Sequence, residues 1–201
     1  MSGGKKNSLD QYASKRDFRK TKEPKGGKKK KGKKRIFVIQ KHDASSLHYD
    51  FRFEHGGVLK SWAVPKGPST DPSVKRLAVP TEDHPVEYAG FEGVIPEGEY
   101  GAGTVMIWDR GTYENIREKK KDDGASMERS LEDGRVEVRL EGEKISGGYA
   151  LIRTGRGKGD DRWLLIKMKD DEADARRNPV STEPDSVASG RTLEEIAEEE
   201  G

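Results

Sequence analysis

His42, His48, Asp50 and Arg52 fall within one short stretch, Lys41-His42-Asp43-Ala44-Ser45-Ser46-Leu47-His48-Tyr49-Asp50-Phe51-Arg52, of a chain that holds only four histidines. Neutral imidazole nitrogens and a carboxylate oxygen suit divalent manganese, iron or zinc while leaving coordination positions open. A guanidinium two residues beyond the carboxylate, on the same side of an extended chain, can grip a phosphate that the ion also touches. An isolated His-x-Asp on a half-buried strand is more often a hydrogen-bonded surface pair. The added His42 and Arg52 shift the reading toward metal-assisted chemistry on an anion.

Such a constellation needs strands to hold it. With period two, Leu47, Tyr49, Phe51 and Phe53 share one face, and His48, Asp50 and Arg52 share the other. Glu54-His55-Gly56-Gly57 then predicts a turn, and Val58–Val64 the second arm of a hairpin. Further strands are predicted at Ile36–Ile39, Leu77–Val79, Gly103–Trp108, Arg135–Leu140, Gly148–Arg153 and Arg162–Lys167. So many short alternating strands mean an all-β barrel or sandwich. Minor helical segments are expected around Met127–Leu131, in a charged insertion without assigned chemistry, and after Thr192 as an N-cap. Gly155-Arg156-Gly157-Lys158-Gly159 lacks the spacing of a phosphate-binding loop and reads as a hairpin turn.

The 201 residues are 38% charged and 30% hydrophobic with mean hydropathy −1.00, which describes one core with polar flanks. The absence of cysteine excludes disulfides and thiolate metal ligands and favours an intracellular, cytoplasmic protein. No apolar run approaches the roughly 20 residues of a membrane span, and the lysine-bearing start lacks a signal peptide's apolar segment. The net charge of +2 hides an asymmetry, since residues 1–35 carry 15 Lys and Arg against Asp10, Asp17 and Glu23. The run Lys28–Arg35 suits a nucleic-acid backbone, the bland reading being a solubilising tail. Residues 1–35 are therefore expected to be a basic, partly disordered arm, with Phe18 able to anchor its middle. Residues 36–170 form the β domain, and 171–201 an acidic tail or linker.

A second polar cluster comprises Lys66, Lys75-Arg76 and Thr81-Glu82-Asp83-His84-Pro85-Val86-Glu87-Tyr88. His84 has the chemistry of a general acid or phosphate ligand, and Tyr88 could bond the same group. A lone histidine is more often a satisfied structural residue. His55, beside two glycines, is left to solvent.

From Phe37 to Gly111 the chain resembles the 3′-phosphoesterase domain of bacterial and archaeal DNA ligase D. The resemblance rests on Lys41-His42-Asp43-Ala44, His48-Tyr49-Asp50-Phe51-Arg52, Ser61-Trp62-Ala63-Val64-Pro65-Lys66-Gly67-Pro68 and Glu82-Asp83-His84-Pro85. It continues through Gly93-Val94-Ile95-Pro96-Glu97-Gly98-Glu99-Tyr100-Gly101-Ala102-Gly103 to Ile107-Trp108-Asp109-Arg110-Gly111. Lys15-Arg16-Asp17-Phe18, with Thr21 and Glu23-Pro24, and the closing Ser189-Gly190-Arg191-Thr192-Leu193 also look like family features.

The resemblance implies a small closed or partly open antiparallel β-barrel. It further implies Mn2+ or another divalent transition metal on His42, His48 and Asp50, with Arg52, His84 and Tyr88 around the scissile phosphate. Lys66 and Arg76 match basic positions that help the phosphomonoesterase step, and Arg16, Asp17, Glu23 and Glu82 match further contributors. The implied substrates are DNA 3′ ends in primer-template or duplex, ending in a ribonucleotide or a 3′-phosphate. Removal of the ribonucleoside and then of the phosphate leaves a 3′-OH for a ligase. The 2′-OH either touches the metal or attacks phosphorus. A nucleoid-associated monomer is expected, with a DNA ligase and an end-binding factor as partners. Two readings compete. The first is a non-haem iron oxygenase using His48, Asp50 and His84. The second is an inactive end-binding module that recruits a ligase.

Overall fold

A computed structural model describes residues 8–27, 35–155 and 159–201. The strands are β1 (Ile36–Asp43), β2 (Leu47–His55), β3 (Val58–Val64), β4 (Lys75–Pro85), β5 (Gly93–Ile95), β6 (Gly103–Asn115), β7 (Arg135–Gly142), β8 (Ser146–Arg153) and β9 (Trp163–Lys167). They pair antiparallel in the order β1-β2-β3-β4-β9-β8-β7-β6, and β6 pairs back onto β1, which closes an eight-stranded barrel with β5 added on β6. Closure leaves the barrel strands without a free edge. At the β2–β3 turn Gly56 and Gly57 take φ of 65° and 85°, the left-handed pair that a two-residue hairpin of primed type requires.

Alternation decides what faces where. Phe37 and Ile39 of β1 and Tyr49, Phe51 and Phe53 of β2 pack inward with Trp62, Val64, Met106, Trp108 and Tyr113. The lumen is therefore solid, and the functional face must lie on the outer wall. Leu47, expected on the packing face, is 45% exposed because it opens β2 at the hairpin end, opposite the exposed Asp43. Outside the wall a smaller cluster, Tyr12, Leu59, Tyr88, Phe91, Ile95 and Val105, is completed by Phe18. It is sandwiched under a layer made of helix α1 (Asp10–Ser14), the 3-10 turn Val86–Gly90 and β5.

The charged insertion holds α2 (Met127–Asp133), capped by Ser126 and ended by Gly134 at φ 71°. The closing stretch carries α3 (Pro179–Thr182) and α4 (Leu193–Glu200), the latter opened by a Thr192–Glu195 capping box. Its reading as a tail or linker needs correction. Leu193 and Ile196, three apart on one helix face, join the main core, and Trp108 Nε1 donates to Glu183 O at 2.8 Å. Two apolar residues in an acidic stretch thus help to dock it. The lysine run at 28–34 and the centre of the Gly155–Gly159 turn, 156–158, lie outside the described residues. Among the described residues no helix is long and apolar enough to cross a membrane.

Candidate metal centre and phosphate pocket

The β1–β2 register sets His42 opposite His48, Gln40 opposite Asp50 and Val38 opposite Arg52, all on the outer face. His42 Nδ1 lies 3.8 Å and His48 Nε2 3.5 Å from Asp50 Oδ2. The donor atoms of the three side chains all fall within 4.8 Å of one another, a spacing that could hold a metal ion.

Each imidazole is oriented by a backbone carbonyl. His42 Nε2 donates to Gly101 O at 2.8 Å, and His48 Nδ1 donates to Ser46 O at 2.9 Å. The bare nitrogens, Nδ1 of His42 and Nε2 of His48, are then the ones facing Asp50, as a metal site requires. Gly101 sits at φ 78°, a conformation open to glycine, and thereby turns its carbonyl to His42. Burial opposes the charge on Asp50, but Arg52 and the two imidazoles hold its carboxyl well below the usual carboxylate range. The bond to Asp50 outweighs burial at His48 and raises that imidazole.

Arg52, 3% exposed, organises the second half of the site. Its Nε donates to Gln40 Oε1 at 2.8 Å and its Nη2 to Asp50 Oδ2 at 3.0 Å, while Nη1 lies 3.2 Å from His84 Nδ1. The Gln40 amide in turn donates to the carbonyls of Tyr88 and Phe91, so it ties β1 to the outer layer. His84 Nδ1 is also 2.9 Å from Glu82 O. Burial, then the Arg52 charge, pushes His84 well below the usual imidazole range, so the ring is neutral near pH 7.

The N-terminal arm closes the far wall. Arg16 donates from Nε to Glu23 Oε1 at 3.0 Å and from Nη1 to Glu82 Oε1 at 3.1 Å, its guanidinium 3.9 Å from the Tyr12 ring centroid. Tyr88, 2% exposed, donates its hydroxyl to Glu23 Oε1 at 3.0 Å, and Thr21 donates to Oε2 at 2.9 Å. Burial, then the Glu23 charge, raises the Tyr88 phenol well above its usual value. A cavity of about 250 Å³ results, lined by Arg16, His42, His48, Asp50, Arg52, Glu82, His84 and Tyr88 together with Ala44, Thr81, Ile95, Tyr100 and Gly101.

Most of the residues singled out in the sequence thus converge, and four differences stand out. Glu23 reaches the site through Arg16 and Tyr88 without lining the cavity. Asp17 is turned to Arg19, whose hydrogen bonds lower it to about 2, and it does not line the cavity. Lys66 is exposed beyond the end of β3, and Arg76 sits on β4 opposite Leu165; neither lines the cavity. His84 stands outside the candidate ligand set, with Arg52 bonded to Asp50 and 3.2 Å from His84, so the triad of His48, Asp50 and His84 is not assembled. Sequence reasoning missed Gln40, although its place two residues before His42 on the same face of β1 was a usable signal. Ser46 and Gly101 act through carbonyls that carry no sequence signature.

The family described as DNA Ligase D 3′-phosphoesterase domain matches residues 40–153. The chain is 52% identical over 190 residues to the multifunctional non-homologous end joining protein LigD of Pseudomonas aeruginosa, covering 92% of this chain and 22% of that protein. It is 52% identical over 162 residues to the multifunctional non-homologous end joining DNA repair protein LigD of Mycobacterium tuberculosis, covering 80% of this chain and 20% of the relative. For the LigD of Mycolicibacterium smegmatis the identity is 48% over 163 residues, covering 81% and 21%. The chain spans about a fifth of the length of these curated relatives.

Proposed function

The chain belongs to the DNA ligase D 3′-phosphoesterase family, and on that premise we propose that it heals DNA 3′ ends with the help of a divalent metal ion, Mn2+ first among candidates. The substrates are primer-template or duplex ends carrying a terminal ribonucleotide or a 3′-phosphate. The ribonucleoside is removed first and the phosphate second, leaving a 3′-OH for a ligase. The observation that carries this reading is the pair of imidazoles, locked by Gly101 O and Ser46 O so that both bare nitrogens face Asp50, beside Arg52 and a neutral His84.

An ion on His42, His48 and Asp50 would supply Lewis-acid charge to the phosphate oxygens. Arg52 has donors to spare beyond Gln40 and Asp50, and being pinned by both it offers them to a phosphate without reorganisation. His84 has two neutral forms within reach. With Nδ1–H donating to Glu82 O the ring keeps a bare Nε2; with Nδ1 accepting from Arg52 the proton sits on Nε2 as a donor. The ring is therefore suited to moving a proton at Nε2 to the departing oxygen or from the attacking one. Tyr88, bonded to Glu23, positions the arm and the Arg52 face, its ring centroid 5.1 Å from the guanidinium. Lys66 and Arg76, outside the cavity, fit contacts to the strand leading into the site. DNA ends, a ligase and an end-binding factor are the partners this role calls for, with the chain acting as a monomer.

The test is a 5′-labelled primer-template ending in one ribonucleotide, incubated with Mn2+ or with EDTA, beside an all-deoxy end and a His48→Ala variant. Stepwise 3′-phosphate and 3′-OH products that need metal, ribose and His48 support the proposal. Tight binding without product across divalent metals would instead favour an end-binding module.

A further inference from the structure

Tyr100 lines the cavity yet has no part in the chemistry above. It is 47% exposed, whereas Tyr12 and Tyr88 beside the same cavity are 0% and 2% exposed. Its ring is nevertheless held. Lys15 Nζ donates to the hydroxyl at 3.3 Å and lies 4.5 Å from the ring centroid, and Arg16 Cζ lies 5.3 Å from it. The supporting loop is closed by Glu99 N donating to Pro96 O at 3.2 Å and Ala102 N donating to Glu99 O at 3.1 Å. Lys20 pairs with Glu99 at 3.5 Å. The next residue, Gly101, is the one whose carbonyl orients His42. An orientationally fixed, half-open aromatic ring therefore stands next in the chain to the residue whose carbonyl orients His42.

We propose that Tyr100 is the stacking platform for the nucleobase of the 3′-terminal ribonucleoside, and so a specificity residue for the diesterase step. The inference rests on the phosphoesterase reading and deepens it. A phosphate seated between Arg52 and the His42–His48–Asp50 face leaves the nucleoside beyond it to project through the cavity mouth, where the open ring stands. Stacking is tolerant of base identity because every base offers a π-face, which matches an enzyme that meets ends of any sequence. The salt bridge of Lys15 with Glu82 at 3.2 Å needs no aromatic partner, so shielding that pair does not explain the ring.

The probe is a primer whose 3′-terminal ribonucleotide carries 2-aminopurine opposite an abasic template position, mixed with the full chain in EDTA so that nothing turns over. Quenching on binding to wild type and to Tyr100→Phe, lost in Tyr100→Ala at saturating protein, is the expected result. Unchanged quenching in Tyr100→Ala, or none in wild type, overturns the proposal. With Mn2+, Tyr100→Ala raises KM for a ribonucleotide end by roughly ten-fold, and that penalty collapses when the terminal ribose lacks its base. An equal loss on both ends, or a loss confined to kcat, marks a loop-support role and overturns the assignment. Wild type that quenches the probe but yields no product refutes the phosphoesterase reading while leaving the stacking platform standing.

Discussion

Asp50 and Arg52, two residues apart on the outer face of β2, are joined by an Nη2 to Oδ2 bond of 3.0 Å. The same guanidinium lies 3.2 Å from His84 Nδ1 and is fixed from behind by Gln40. One planar fork thus couples a candidate metal ligand to the candidate proton carrier.

Arg52→Lys keeps the charge but not the fork, so it cannot serve Gln40, Asp50 and His84 together. Turnover of a ribonucleotide-terminated primer should fall by about two to three orders of magnitude. Calorimetry should still detect Mn2+ binding, because His42, His48 and Asp50 are intact. Full activity in the lysine variant would show that the fork is not used.

Metal affinity should fall with acid earlier than an ordinary imidazole would allow. Asp50 raises His48, and the proton on His48 Nε2 must leave before a metal can bind there. Below that raised value Mn2+ affinity should drop by about ten-fold per pH unit. Titrations between about pH 6 and 8, in buffers of different ionisation heat, should show proton release on binding. Affinity independent of pH over that window would contradict the tautomer assignment.

Arg16 balances two carboxylates, Glu23 and Glu82, with all three side chains at most 4% exposed. Arg16→Ala strands both and should destabilise the arm against the barrel by about 3–5 kcal/mol, read as protease sensitivity of residues 8–27. Burial opposes the Glu82 charge, but Arg16 and Lys15 hold its carboxyl below the usual carboxylate range. Its contribution is therefore present above the unfolded value and lost as pH falls through the lower folded one. Glu82→Gln should flatten the acid limb of stability in that window; an unchanged limb would place the acid sensitivity elsewhere.

Glu92 clasps the closing segment, accepting from Ser186 Oγ at 2.5 Å, from Arg191 at 3.3 Å and from Ser189, as well as from Ile107 N at 2.9 Å. Glu92→Ala should cost about 1–3 kcal/mol and expose α4 to hydrogen exchange. Protection of α4 equal to wild type would mean that Leu193 and Ile196 dock it unaided.

The sequence by itself determined the chemistry-bearing face. Alternation in β2 cannot place His48, Asp50 and Arg52 anywhere but together, and Gly56-Gly57 makes the following hairpin local. The long ordered motifs carried the family, because they set loop shape as well as side chains. What only the tertiary structure decided depends on contacts between distant parts of the chain. Arg16 meets Glu82 across 66 residues and His42 meets Gly101 across 59, so the far wall of the site comes from the N-terminal arm packed on β4 and the tautomer of His42 from the segment leading into β6. Tertiary packing also leaves Asp17, Lys66 and Arg76 off the cavity and sets the acidic C-terminal stretch on the core. Charge and spacing report on a residue's own strand, whereas burial and partnership are properties of the surfaces that strand later meets.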